Sequence, residues 1–320
     1  MKSEFKSFLK NLSVSEEYAG LILEASSHDT YIETISNKAD SLHYNIAKGY
    51  VEYSDKEFYK VVKNRIQKLH LGAVDIIIDI TSENFYGKST GLYLHNWTGE
   101  EGVEAKYHFL VAGILLRNRI YPFYVAILPI GSFKSKYLGR ICDLCHEMNL
   151  KVKLMKLDRG FYSGEVIDEL ELKGMSYLIF AKKSALFKCM LEGTEKSVMI
   201  KHEINYKKGK SSHIAKTNIA LVKNVDEYDW VFATNMFLRD ARKYVELYMA
   251  RWNIETMFRV HDEARIKSKS TNPLIRLFYF MLSMLLLFIW NLSFKEKYTF
   301  KKFVINLEQM LKNIDACWTG

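Results

Sequence analysis

The apolar positions of this chain change period along its length. Residues 1 to about 70 carry them at helical spacing, in amphipathic segments whose starts are marked by Thr30 with Glu33 and by Ser54 with Glu57, each at the interval of a capping box. The period then shortens. Val74-Asp-Ile-Ile-Ile-Asp79-Ile is a β-branched apolar run that meets an acid, which predicts a buried strand with Asp79 at or near its end. Residues 107–116 and 121–128 predict two further strands, joined by a tight hairpin at Asn118 and Arg119. Helical period returns over 132–149. A strand over 151–157 then leads into Asp158-Arg159-Gly160-Phe161-Tyr162, followed by a helix over 165–173 and a fifth strand over 176–181.

Three strands, a helix, a strand, a helix and a strand, with long helices after a gap, predict an α/β fold: a mixed sheet covered by helices on both faces. The same order describes a ribonuclease-H-like core. The expected organisation is an N-terminal helical domain over 1–70, a core over 71–295 interrupted by a β-rich insertion at 182–228, and a C-terminal helix over 296–320. The run from Leu277 to Trp290 is apolar enough to suggest a membrane span. It falls short of the roughly 20 residues a span needs and contains Ser283, so a buried core helix is the reading it favours, with no membrane partner.

Charge narrows the partner class. The 320 residues carry a formal net charge of +9, and residues 182–223 alone hold ten lysines against three glutamates. This stretch reads either as a solvated surface or as one that tracks phosphate, with Lys207, Lys208 and Lys210, around the turn at Gly209, as its contact point. Of the four cysteines, Cys142 and Cys145 fall on one apolar helical face with Leu138, Ile141 and Met148, and no second ligand pair stands at zinc spacing. The opening Met1-Lys-Ser-Glu-Phe-Lys is charged and leads into no apolar run, so a reducing, cytoplasmic setting is expected.

Candidate chemistry lies in three acids. Asp79 and Asp158 stand beside loops at strand ends and could converge at one rim of a sheet. Glu255 lies in Tyr248-Met-Ala-Arg251-Trp252-Asn-Ile254-Glu255-Thr-Met257-Phe258-Arg259, read as one helix whose face presents Tyr248, Arg251, Glu255 and Arg259. Three oxygen-donor acids could hold two hard divalent ions, Mg²⁺ or Mn²⁺, as in-line phosphoryl displacement requires. Each acid alone is equally well a turn or surface residue. No Walker loop, nucleophile elbow or dinucleotide fingerprint competes.

Three motifs make the chain resemble insertion-sequence transposases of the DDE class, in the IS-four-like branch. They are Ile78-Asp79 with its following Phe85-Tyr86-Gly87 segment, Leu157-Asp158-Arg159-Gly160-Phe161-Tyr162, and the spacing Tyr248-x2-Arg251-x3-Glu255. The resemblance implies a DNA transposase that cleaves and joins strands at transposon ends, with Asp79, Asp158 and Glu255 holding two metal ions. It implies Tyr248 and Arg251 as groups that position DNA phosphate, an inserted β segment where the lysines lie, double-stranded DNA as partner and a homodimer in the DNA complex. Arg259 is added as a DNA contact, Trp252 is expected in the core, and residues 1–70 are expected to contact DNA or dimerise. One departure stands out: Asp262 occupies the position where the family carries a lysine. Two alternatives remain at this stage, a ribonuclease-H-like nuclease that does not join strands and a DNA-binding derivative with impaired catalysis.

Overall fold

The computed structural model of the chain describes residues 15–49, 54–87, 91–293 and 295–318. Its N-terminal helices are α1 (Glu16–Ser27), the single turn α2 (Ile32–Ile35), α3 (Ala39–Gly49) and α4 (Ser54–Gln67). The capping box expected at Thr30 and Glu33 does not form. Tyr31 stands at the N-cap, and the Glu33 carboxylate instead accepts from the Ser268 hydroxyl at 2.6 Å and the Lys269 amide at 2.7 Å. Two polar donors far along the chain outcompete the local cap. The side chains of Ser54 and Glu57 lie outside the described residues.

Nine strands form one mixed sheet: β1 (Val74–Phe85), β2 (His95–Asn96), β3 (Ala105–Leu116), β4 (Arg119–Leu128), β5 (Val152–Leu157), β6 (Tyr177–Phe180), β7 (Val198–Lys208), β8 (Ser211–Val225) and β9 (Tyr228–Thr234). Their order is β2-β3-β1-β5-β6-β9-β8-β7, with β4 on the outer side of β3. β1, β5 and β6 run parallel, while β3 and β4 make an antiparallel meander beside them. The β3–β4 turn sits one residue earlier than expected. Arg117 and Asn118 both adopt positive φ, the backbone of a two-residue hairpin loop that matches strand twist.

Two helices connect the parallel strands, α5 (Lys134–Glu147) between β4 and β5 and α6 (Gly164–Leu172) between β5 and β6. Cys142 and Cys145 are buried on α5 as free thiols, and burial pushes the Cys142 thiol up to about 12, which suits packing rather than reactivity. Cys189 is exposed instead. Residues 182–228 include a helix that the pattern did not predict, α7 (Ala185–Glu192), and long strands, β8 alone spanning 15 residues. β9 pairs with β6, so this segment extends the sheet rather than standing apart from it.

The remaining helices are α8 (Arg242–Met249), α9 (Asn253–Asp262), α10 (Pro273–Ser293) and α11 (Phe300–Trp318). α10 lies on the face of β1 that carries Asp79 and Glu83: Phe280 stacks on Phe109 at 4.1 Å, and Arg276 lies 3.7 Å from Glu83. It is long and apolar enough to cross a membrane, yet 89% of its most apolar window is buried inside the protein, and the Ser283 hydroxyl oxygen accepts from the Ile266 amide. α10 is the core helix the sequence predicted. α1 reaches across to the C-terminal third of the chain, with Ser26 donating to the Ala264 carbonyl at 2.6 Å and Ser27 to Glu308 at 2.5 Å.

Candidate active site

The site begins with strand register. β1 and β5 pair in parallel up to Ile78 opposite Leu157. The next residues, Asp79 and Asp158, therefore leave the pairing side by side, and matched positions on parallel strands point to the same face. Asp79 is not at a strand end as expected. β1 continues to Phe85 because its other edge stays paired with β3, where Asp79 faces Val111. It is the parallel pairing that ends there, and this opens the rim.

The segment predicted as one helix is broken. α8 ends at Met249, a 3₁₀ turn spans Ala250–Trp252, and α9 starts at Asn253. The tighter turn rotates the side chains off a common face, so Tyr248 and Arg251 point inward while Trp252, at 47% exposure, faces solvent instead of the expected core. Phe180, Phe232 and Trp230 surround the Tyr248 ring, at centroid distances of 5.4, 5.2 and 6.4 Å. Its hydroxyl donates to Asp158 Oδ1 at 3.2 Å. Arg251, only 5% exposed, donates through Nη1 to Asp79 Oδ2 at 2.5 Å and through Nη2 to Glu255 Oε1 at 2.7 Å. One turn of chain thus contacts all three acids.

Burial pushes the Asp79 carboxyl up to about 6; Arg251 and the Ile80 amide pull it down, and the nearby Asp158 and Glu255 charges add to the rise. Glu255 is different in setting, with its side chain 58% exposed. Among the described residues no three His, Cys, Asp or Glu groups lie close enough to hold a metal ion; at this site the Arg251 guanidinium stands between Asp79 and Glu255. The donor set is nevertheless of the kind a hard divalent cation takes, carboxylate oxygens alone, two of them from register-matched strand positions.

The other expected contacts divide. Arg259 is exposed on α9 and is not drawn into the group around Asp79. Lys207, Lys208 and Lys210 surround the β7–β8 turn, with Gly209 at φ +61°. This hairpin lies along α6. Thr217 bonds Tyr177 beside Glu171 near the end of α6, and Tyr206 reaches its start, donating to Asp168 Oδ2 at 2.6 Å. The lysine tip therefore sits near the α6 N-terminus, six residues after Asp158. Gly164 makes this fit possible, since a Cβ there would lie 2.4 Å from Tyr206 Cδ1. Gly164→Ala is expected to destabilise the chain by about 1–3 kcal/mol through overpacking, outweighing its better helix propensity. Thermal unfolding with limited proteolysis of the hairpin checks this; unchanged protection would show that Tyr206 swings away freely.

Sequence reasoning missed Lys134 at the start of α5. Its Nζ donates to the Gly160 carbonyl at 2.5 Å and lies 5.2 Å from the Phe161 ring; burial lowers its pKa and Asp158 opposes that. No local motif marks it, because its neighbours come from 24 and more residues away. Asp262 does not stand as an isolated acid. His261 and Arg265 lie 3.5 and 3.7 Å from it, and although burial works against its charge, these and Lys267 hold its carboxyl below the ordinary value.

Comparison with known proteins agrees with this architecture. Residues 134–292 match the family described as the transposase DDE domain. No curated protein matches the chain. Among solved structures, the piggyBac transposase synaptic complex with hairpin DNA is similar in fold, with a TM-score of 0.58 at 10% identity over 92% of this chain and 70% of that one. The catalytic domain of human Endonuclease V and the NurA nuclease from Sulfolobus solfataricus overlap only at a TM-score of 0.28 each, both at 10% identity. They cover 62% and 77% of this chain and 88% and 89% of their own. The mixed sheet, with 44% of residues helical and 29% in strands, defines a ribonuclease-H-like transposase fold. The chain is a DDE-class transposase, an enzyme acting on DNA.

Proposed function

We propose that this transposase belongs to the IS-four-like branch and cleaves and joins DNA strands at transposon ends, with Asp79, Asp158 and Glu255 as its catalytic carboxylates. The observation that carries this reading is the register of β1 and β5, which sets Asp79 beside Asp158, where Tyr248 from the end of α8 and Arg251 from the following turn contact them and Arg251 also holds Glu255 of α9. Asp79 and Asp158 would hold two Mg²⁺ or Mn²⁺ ions, and Glu255 would complete the second site. The ions would supply charge stabilisation to the attacking and leaving oxygens of an in-line displacement.

The chain's own residues do the rest. Tyr248 and Arg251 position a DNA phosphate, the first through its hydroxyl and the second through a two-pronged guanidinium suited to phosphate oxygens. Arg259 and the hairpin tip neutralise backbone charge further out. The partner is double-stranded DNA, at the element's ends and at the target, bound by a homodimer; the enzyme works in the cytoplasm, at the nucleoid. Residues 1–70 serve as DNA-contact or dimerisation helices beside a core at 71–295 with its insertion at 182–228 and a terminal helix at 296–320.

The test is an assay with labelled DNA from the flanking ends, Mg²⁺ or Mn²⁺, and a second duplex as target. Joined products formed through the exposed 3′-hydroxyl are expected. Cleavage without joined products would replace this reading with that of a nuclease. Replacing Lys207, Lys208 and Lys210 together by Ala is expected to weaken binding across all DNA sequences. It should also flatten the slope of log K against log salt by about 2–3. An unchanged slope would leave the hairpin tip as plain solvated surface.

A further inference from the structure

Arg251 is a buried cation in direct contact with two of the three candidate acids. Its guanidinium is nearly excluded from solvent, and its two terminal nitrogens are spent on Asp79 Oδ2 and Glu255 Oε1, at 2.5 and 2.7 Å. Its Nε is buried without a partner. The third acid is engaged by the same turn, through Tyr248 on Asp158. A buried cation with one donor unspent is held by the acids, but not fully satisfied by them. The residue sits in a 3₁₀ turn between two α-helices, a backbone form whose hydrogen bonds are poorer than those of the helices it joins.

We infer that Arg251 is an internal counter-ion that keeps the metal site closed until a DNA phosphate draws its guanidinium away, so that cation binding is gated by substrate. This rests on reading Asp79, Asp158 and Glu255 as the metal carboxylates. A guanidinium and a divalent cation repel each other and compete for the same two carboxylates, so each must weaken the other's binding; this is linkage between two ligands of one site. Phosphate oxygens match the guanidinium fork as well as the carboxylates do. A phosphate that engages Arg251 would therefore release Asp79 and Glu255 together. Metal loading without DNA would be suppressed.

The test measures Mn²⁺ binding to the full chain without DNA, by electron paramagnetic resonance of the free ion and by calorimetry. Arg251→Gln is expected to bind Mn²⁺ at least about tenfold more tightly than the wild type, equivalent to about 1.4 kcal/mol. Arg251→Lys should fall between them, since one ammonium cannot bridge both acids. Arg242→Gln makes the same charge change at the exposed start of α8, away from the acids, and should bind as the wild type does. Equal affinity of wild type and Arg251→Gln would overturn the gate, as would an equal gain in Arg242→Gln, which would reduce the effect to net charge. A far-ultraviolet spectrum and melting curve confirm that each variant is folded.

A second arm separates this inference from the reading beneath it. Adding Asp79→Asn or Glu255→Gln to Arg251→Gln should remove the gained affinity. If the gain persists in both double variants, the cation is held elsewhere, and the carboxylate assignment fails along with the gate. If the gain never appears but DNA cleavage still depends on all three acids, the gate alone fails.

Discussion

Asp158→Asn and Glu255→Gln are each expected to lower DNA cleavage on the order of 10³-fold or more, with DNA affinity and fold almost unchanged. The reason is that both changes remove charge and leave shape. Asn at 158 keeps an oxygen to accept the Tyr248 hydroxyl, now found 3.2 Å from Asp158 Oδ1. Gln at 255 replaces an exposed carboxylate and still offers Arg251 an acceptor. Asp79→Asn should abolish cleavage equally but be less stable. It strips a buried guanidinium of its closer counter-ion, a loss that reaches about 3–5 kcal/mol when the remaining charge has no partner. Here Glu255 still holds Nη2, so the loss should stay below that range. Single-turnover cleavage of labelled ends, alongside denaturant unfolding, separates the two effects. Any of the three variants cutting at the wild-type rate would remove that residue from the catalytic set.

The largest loss of stability is expected at a pair that no motif contains. Lys156 on β5 is 1% exposed, and its ammonium lies 2.8 Å from Asp75 Oδ2 on β1. These residues precede Asp158 by two and Asp79 by four, so on each strand they share the face of the candidate acids. The pair bridges the two strands whose register sets Asp79 beside Asp158. Asp75→Ala should cost about 3–5 kcal/mol, because it leaves an ammonium buried without a counter-ion. Replacing both, with Asp75→Leu and Lys156→Met, should recover most of that stability, since an apolar pair avoids the desolvation cost. Urea unfolding of the single and double variants decides it. A wild-type midpoint for Asp75→Ala would mean that water or another group reaches the lysine.

Much of the sheet was legible because strands carry their signal locally. Alternating and β-branched runs placed β1, β3, β4, β5 and β6, and the Leu277–Trp290 run marked the core helix. What failed was local preference overruled by distant partners. Glu33 looked like a cap and instead binds Ser268 and Lys269. Trp252 looked like core and is exposed because a 3₁₀ turn interrupts the helix. The insertion read as β-rich and also contains α7, which the pattern did not mark. Lys134 carried no signal at all, since its contact with Gly160 is made only when α5 lies beside the loop after β5.

Residue type and spacing in the sequence alone determined which acids, tyrosine and arginine were candidates and where the sheet's strands run, because side-chain chemistry and hydrophobic period are properties of short stretches of chain. Only the tertiary structure decided how they meet: that Asp79 and Asp158 leave a parallel pairing at the same level, and that Arg251 spans Asp79 and Glu255. Register and charge pairing across 79 and more residues of chain follow from packing and desolvation of the whole core, which no local window contains.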